Sequence, residues 1–110
     1  MIIEEKKDEF DILKLEGRLD AVSAKEIKSK INELVKHERI KIVMDLSEIN
    51  FIDSTGLGGM VSCLRTVSKK GGDIKIVGLQ AQVRAIFELT RLHRIFQIFD
   101  DTETALRSFK

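Results

Sequence analysis

The spacing of apolar residues changes repeatedly between every second position and every third to fourth position. That alternation restricts the chain to a small set of architectures. Leu13 and Leu15 alternate with Lys14 and Glu16, so residues 10–16 predict a strand, which Gly17 ends. Ile2 and Ile3 open a short edge strand before it, with a turn at Lys7-Asp8-Glu9. Ile27, Ile31, Leu34 and Val35 then recur at helical spacing and predict an amphipathic helix over 23–37. Its entrance, Ser23-Ala24-Lys25-Glu26, fits a capping box with Ser23 as the cap. Residues 40–46 return to period two, with Ile42, Met44 and Leu46 on one face and Lys41 and Asp45 on the other.

The pattern then repeats. Phe51-Ile52 is a brief apolar stretch, and Asp53-Ser54-Thr55-Gly56 introduces a second helix striped by Leu57, Met60, Val61, Leu64 and Val67. Lys69-Lys70 complement its C-terminus and Gly71-Gly72 stop it. Ile74 and Ile76 alternate with Asp73 and Lys75 in another strand. Leu79, Val83, Ile86 and Phe87 mark a third helix, and residues 96–99 a short last strand. Asp100 and Glu103 fit a second capping box before a C-terminal helix carrying Leu106 and Phe109.

The resulting order, β-β-α-β-α-β-α-β-α, predicts an α/β domain with a mixed, mostly parallel sheet. Single helices between strands imply right-handed crossovers. A sheet covered on both faces has nearly continuous apolar strands. Here Lys14, Glu16, Lys41, Asp45, Asp73 and Lys75 make one face polar. We therefore expect helices packed mainly on one face, the other being at least partly wet.

Composition narrows the function classes. A chain of 110 residues is the length of one domain. Nineteen Lys and Arg against 18 Asp and Glu leave a net charge of +1, which argues against a nucleic-acid-binding surface built by bulk charge. One cysteine excludes an intrachain disulfide and a multi-thiolate zinc site. No apolar run approaches membrane-spanning length, and the charged first ten residues lack a signal-peptide core. The expectation is a soluble, cytoplasmic domain.

Templates for chemistry fail in turn. His37 and His93 have no partner at metal-ligand spacing, and Cys63 lies beside the stripe of the second helix, where a packed thiol is the simpler reading. There is no nucleophile elbow and no phosphate-binding lysine loop. Gly56-Leu57-Gly58-Gly59-Met60-Val61 follows a dinucleotide fingerprint for three positions, but Val61 stands where a small residue belongs and Asp73 precedes its strand instead of ending it. Asp53-Ser54-Thr55-Gly56 has one residue too many for an aspartic-protease motif. No catalytic residue, metal or cofactor is expected.

What remains is the entrance of the second helix. Asp53, Ser54 and Thr55 are all good caps, so each has a purely structural explanation. Gly56, Gly58 and Gly59 are harder to explain, since glycine costs a helix interior roughly 1 kcal/mol relative to alanine. They predict a bare surface on which another protein's backbone approaches the Ser54 hydroxyl. A helix N-terminus also accommodates a phosphate, which would add about −2 charges at Ser54 while Asp53 opposes it locally.

These residues resemble a known family. Asp53-Ser54-Thr55-Gly56-Leu57-Gly58 resembles the signature of the bacterial anti-sigma-factor antagonists, the STAS domain family. Gly17-Arg18-Leu19-Asp20 is similar to its Gly-x-Leu-Asp segment. Residues 72–78, then Val83, Ile86-Phe87 and Leu92, follow its C-terminal half. The resemblance covers residues 1–110 as a single STAS domain. One departure is Thr90-Arg91-Leu92, where the family often has glycine in the middle. Arg91 enters a left-handed helix end less easily, which puts that helix end's geometry in question.

The resemblance implies an anti-anti-sigma factor. Its unphosphorylated form would bind an anti-sigma factor that is an ATP-dependent serine kinase, so releasing a sigma factor. Phosphorylation of Ser54 would end the binding, and a metal-dependent serine phosphatase would reset it. Asp20, Asp53, Ser54, Thr55, Gly56, Leu57 and Gly58 are the implied partner-binding positions. Asp20 has an equally good local role in the turn before the first helix. The implied protein is not an enzyme and acts only through partners, without contacting nucleic acid or membrane. Two other readings remain open on the residues: a STAS module of a stress-signalling scaffold or membrane transporter, and a small-nucleotide-binding protein using the loop at Gly56–Gly59.

Overall fold

The computed structural model describes residues 1–109. The strands are β1 (Ile2–Lys7), β2 (Phe10–Leu19), β3 (Lys41–Ile52), β4 (Asp73–Val77) and β5 (Ile98–Phe99). The helices are α1 (Ala21–Lys36), α2 (Ser54–Ser68), α3 (Ala81–Leu89) and α4 (Thr102–Arg107), with a 3-10 turn at Leu92–Arg94. One five-stranded sheet has the order β1-β2-β3-β4-β5. The first pair is antiparallel and the other three are parallel. This is the expected α/β order and mixed sheet.

Alternation in the strands separates two apolar layers. Leu13, Leu15, Ile42, Met44, Leu46, Ile74 and Ile76 point to the main core, where they meet Ile27, Ile31 and Leu34 of α1, Met60 and Val67 of α2, and Val83 and Phe87 of α3. Burying a side chain of this size removes it from water at a gain of roughly 1.5–3 kcal/mol each. The opposite face carries a second, smaller layer of Phe10, Ile12, Val43, Val77, Ala105 and Leu106, with Phe99 and Phe109 packed against it. Three helices therefore cover one face, and α4 caps part of the other. Lys75, expected on a wet face, is instead buried there. Its ammonium group hydrogen-bonds Gln97 and lies 4.7 Å from the Phe109 ring centroid. An aromatic face attracts a cation and offsets part of its dehydration.

Several element ends differ from their sequence-based positions. Strand β2 does not stop at Gly17 but continues to Leu19. Gly17 takes φ +98, and the register with β3 shifts on both sides of it, so the glycine bends the strand without ending it. Strand β3 likewise runs on through Phe51 and Ile52. Helix α1 begins earlier than expected. Its cap is Asp20, not Ser23, and the two residues satisfy each other's backbone N–H groups. The α4 cap is Asp101, one residue after Asp100, accepting from the Thr104 N–H at 2.8 Å. Strand β5 is only the last two residues of the expected 96–99 segment, because Phe96 is drawn into the main core beside Phe87. Arg91 does enter the left-handed region, at φ 63, immediately after α3.

Candidate functional site

Strands β2 and β3 are parallel neighbours, so their carboxyl ends lie side by side, and a helix starts from each. The Asp53 N–H donates to the Leu19 carbonyl at 3.1 Å and ties the two exits together. Asp20 and Asp53 thus stand as caps of adjacent helices at one pole of the sheet.

Each cap is locally complete. The Asp53 Oδ1 accepts from the Gly56 N–H at 2.9 Å, and the Asp53 carbonyl accepts from the Leu57 N–H at 2.9 Å. The Asp20 Oδ1 accepts from the Ser23 N–H at 3.2 Å, while the Ser23 Oγ accepts from the Asp20 N–H at 2.9 Å. The Ser23 backbone N–H holds the Asp20 carboxyl below its ordinary value, with the Ser23 hydroxyl and Arg18 adding to that effect and dehydration opposing it.

Because Asp53 is the cap, Ser54 does not serve as one. Ser54 is the first residue of α2, exposed, with Thr55 exposed beside it, and neither hydroxyl has a hydrogen-bond partner among the described residues. The Ser54 hydroxyl is therefore free to contact another molecule at the electropositive start of a helix.

The glycines divide by role. A Cβ on Gly56 would lie 2.2 Å from the Leu19 carbonyl oxygen, and one on Gly59 would lie 2.7 Å from the Ala24 Cβ. Both are buried, and both are required by internal packing, Gly56 against β2 and Gly59 against α1. Only Gly58 is exposed, with nothing near its missing side chain. The expectation of a bare three-glycine surface therefore narrows to Gly58. Leu57 is half-buried and Asp53 partly so, while Asp20 lies on the neighbouring helix start.

Three further side chains stand at this pole that the sequence patterns did not single out. The Arg18 guanidinium stacks 3.8 Å from the Phe51 ring centroid, and its Nε lies 3.6 Å from the Asp20 Oδ2. Val22 is 80% exposed in the first turn of α1. An apolar residue in a helix's first turn is its only sequence signal, and that signal exists only once α1 is known to begin at Ala21.

The other candidates lie elsewhere. Burial pushes the Cys63 thiol up to about 11, with the charge of Lys28 opposing weakly, so the thiol is protonated at neutral pH. His93 contacts the Phe87 carbonyl through Nδ1 at 3.4 Å. No cluster of metal-binding side chains occurs among the described residues, and no helix among them is long and apolar enough to cross a membrane. A groove of about 890 Å³ lies between β1 and α1 and has none of residues 53–58 in its walls.

Comparison with known proteins identifies the family. Residues 2–105 match the STAS domain. An anti-sigma-B factor antagonist of Listeria monocytogenes is 31% identical over 97 residues, covering 88% of this chain and 84% of that protein. A putative anti-sigma factor antagonist from Thermotoga maritima superposes with a TM-score of 0.91 at 29% identity, covering 97% of this chain and 92% of that one. The phosphorylated form of SpoIIAA, a Bacillus cell-fate determinant, shares the fold with a TM-score of 0.78 at 21% identity, each chain being covered in full. The chain belongs to the STAS domain family, among the anti-sigma factor antagonists.

Proposed function

We propose that this protein is an anti-anti-sigma factor whose partner binding is switched at Ser54. Its unphosphorylated form captures an anti-sigma factor that is also an ATP-dependent serine kinase, and the sigma factor is released. Phosphate on Ser54 ends the capture, and a metal-dependent serine phosphatase restores it. The protein is a cytoplasmic regulator, a single STAS domain over 1–110, and performs no catalysis of its own.

The observation that carries this reading is the exposed, unpaired Ser54 hydroxyl on the first turn of α2. Asp53 supplies the cap, so Ser54 is free for modification without loss of the helix end. Gly58 leaves the approach open, and Asp20, Thr55 and Leu57 flank it as contact positions. A phosphate adds about −2 charges beside Asp53. In a contact fitted to a bare hydroxyl, dehydrating that charge costs several kcal/mol. The same fold occurs in a phosphorylated protein, SpoIIAA, which supports the view that the domain tolerates the modification.

The test uses wild type, Ser54→Ala and Ser54→Asp as baits in lysate from the native cell. Wild type and Ser54→Ala should retain an anti-sigma factor kinase, and Ser54→Asp should lose it. With that kinase and ATP, wild type should gain one phosphate and Ser54→Ala none. Equal recovery on all three baits rejects the switch, and phosphate on Thr55 assigns it to the wrong hydroxyl.

A further inference from the structure

The end of α3 combines three features. Leu89 is 83% exposed and Ile95 is 49% exposed. Arg91 and Arg94 lie between them, exposed, and neither guanidinium has an ion pair or side-chain hydrogen bond among the described residues. Arg91 also holds φ 63, a left-handed conformation that glycine takes without strain and arginine does not. An apolar, doubly cationic and strained corner is thus concentrated in seven residues.

Its backbone is nevertheless fixed. The Arg94 N–H donates to the Arg91 carbonyl at 3.1 Å, the Ile95 N–H to the Leu92 carbonyl at 3.1 Å, and the Phe96 N–H to the Leu92 carbonyl at 3.0 Å. Phe87 and Phe96, buried and in edge contact, anchor both ends of the corner in the core. A backbone held in this way loses little freedom on binding, which favours specific recognition.

Topology places this corner far from Ser54. Helix α3 joins the parallel neighbours β4 and β5, so it starts at the carboxyl pole of the sheet and returns to the amino pole. Ser54 and Asp20 follow the carboxyl ends of β3 and β2. The two surfaces are at opposite poles, and a molecule on one leaves the other open.

We propose that residues 89–95 form a second docking surface, for a protein partner that presents acidic side chains around an apolar contact. Charge complementarity selects the acidic rim, Arg91 and Arg94 being free cations, and Leu89 and Ile95 supply the apolar centre. A polyanion is a poorer match, because the whole chain carries only +1. An anionic membrane is poorer too, since two arginines contribute only about 1 kcal/mol each near a charged bilayer. Arginine is among the residue types that dominate the energetics of protein contacts. The partner would stay bound whether or not Ser54 is modified, making the domain bivalent.

The experiment places a photo-crosslinking amino acid at position 89 or 95 of the full chain, in native cells, on Ser54→Ala and Ser54→Asp backgrounds. The expected result is the same crosslinked protein on both backgrounds, bearing an acidic segment at the crosslink. Purified, it should bind the wild-type chain in a salt-sensitive manner, and Arg91→Glu/Arg94→Glu should weaken binding at least about tenfold. Arg91→Gly should raise the Tm while weakening binding, a split that a purely structural role does not give. The proposal is overturned by no crosslink, by crosslinks only to lipid or nucleic acid, by loss of the crosslink on the Ser54→Asp background alone, or by unchanged affinity in the double variant. Failure of phosphorylation at Ser54 would reject the proposed switch and leave this surface unaffected.

Discussion

Gly56 sits against the Leu19 carbonyl so closely that a methyl group at its Cα would lie 2.2 Å from that oxygen. The oxygen also accepts the Asp53 N–H, so it cannot withdraw without breaking the tie between the β2 and β3 exits. Gly56→Ala should therefore destabilise the domain by about 2–3 kcal/mol, at the upper end for overpacking. Gly58→Ala, with open space around it, should stabilise by about 0.5–1 kcal/mol. Urea melts of the two variants measure the contrast. A stable Gly56→Ala beside a destabilised Gly58→Ala would show that the internal-packing assignment is reversed.

Asp20 has two separable properties, a cap and a charge. Asparagine keeps an oxygen for the Ser23 N–H, so Asp20→Asn should hold α1 in place, whereas Asp20→Ala should cost about 1 kcal/mol. If Asp20 also touches the partner by charge, Asp20→Asn should weaken partner binding with little change in Tm. Paired calorimetric and thermal-melt measurements distinguish the roles.

Acid should act on the same caps. The backbone N–H of Ser23 lowers the pKa of Asp20, and that of Thr104 lowers the pKa of Asp101. Groups with depressed native values contribute stability above their unfolded values, near pH 4, and lose it as pH falls through the native values. Stability should be flat from neutral pH down to about 5 with respect to these groups and decline below about 4. Asp20→Asn/Asp101→Asn should flatten the decline, as followed by chemical denaturation across that range.

Asp11 is fully buried and bonded to the Arg39 Nε at 2.7 Å, while Arg39 also donates to the Asp8 and Phe10 carbonyls. Removing Arg39 leaves a buried carboxylate with only Lys6 at 3.1 Å. Arg39→Ala should cost about 3 kcal/mol. Asp11→Asn/Arg39→Met should recover part of that loss, because no charge is stranded. Denaturant titration of Arg39→Ala and of the double variant checks both outcomes.

Lys75 is a contrasting case. Its ammonium is held by Gln97, Asp73 and two phenylalanine rings beneath α4. Lys75→Met should stay within about 1 kcal/mol of wild type, since an apolar replacement of similar volume often matches a buried charge. Phe109→Ala should instead increase hydrogen exchange in residues 102–107 without affecting α1.

The order of elements was legible because each change of apolar period is a local property of the chain. Their ends were less legible, for identifiable reasons. Asp20-x-x-Ser23 and Ser23-x-x-Glu26 both fit a capping box, and only packing selects the first. Gly17 reads as a stop, but its left-handed backbone lets β2 bend and continue to Leu19. The second apolar layer was hidden because Phe10, Ile12, Val43 and Val77 share their face with charged residues, and the short α4 that covers them carries few apolar positions. At the candidate site, the Asp53-to-Gly59 segment announced a special helix entrance. It did not reveal that two of its three glycines serve the interior, nor that Arg18 and Phe51 stack nearby.

The strand order of the sheet is also the order of the chain. Every strand after the first hairpin docks on the one made immediately before it, and none is inserted between two already in place. A chain emerging from the ribosome can therefore add its parallel layers one crossover at a time, with no strand waiting for a later neighbour on both sides. The last addition, the two-residue β5 with α4, closes the sheet edge and the second apolar layer together. Until residues 98–109 are available, the Val43 and Val77 face stays open, so completion of the domain is set by its final short segment.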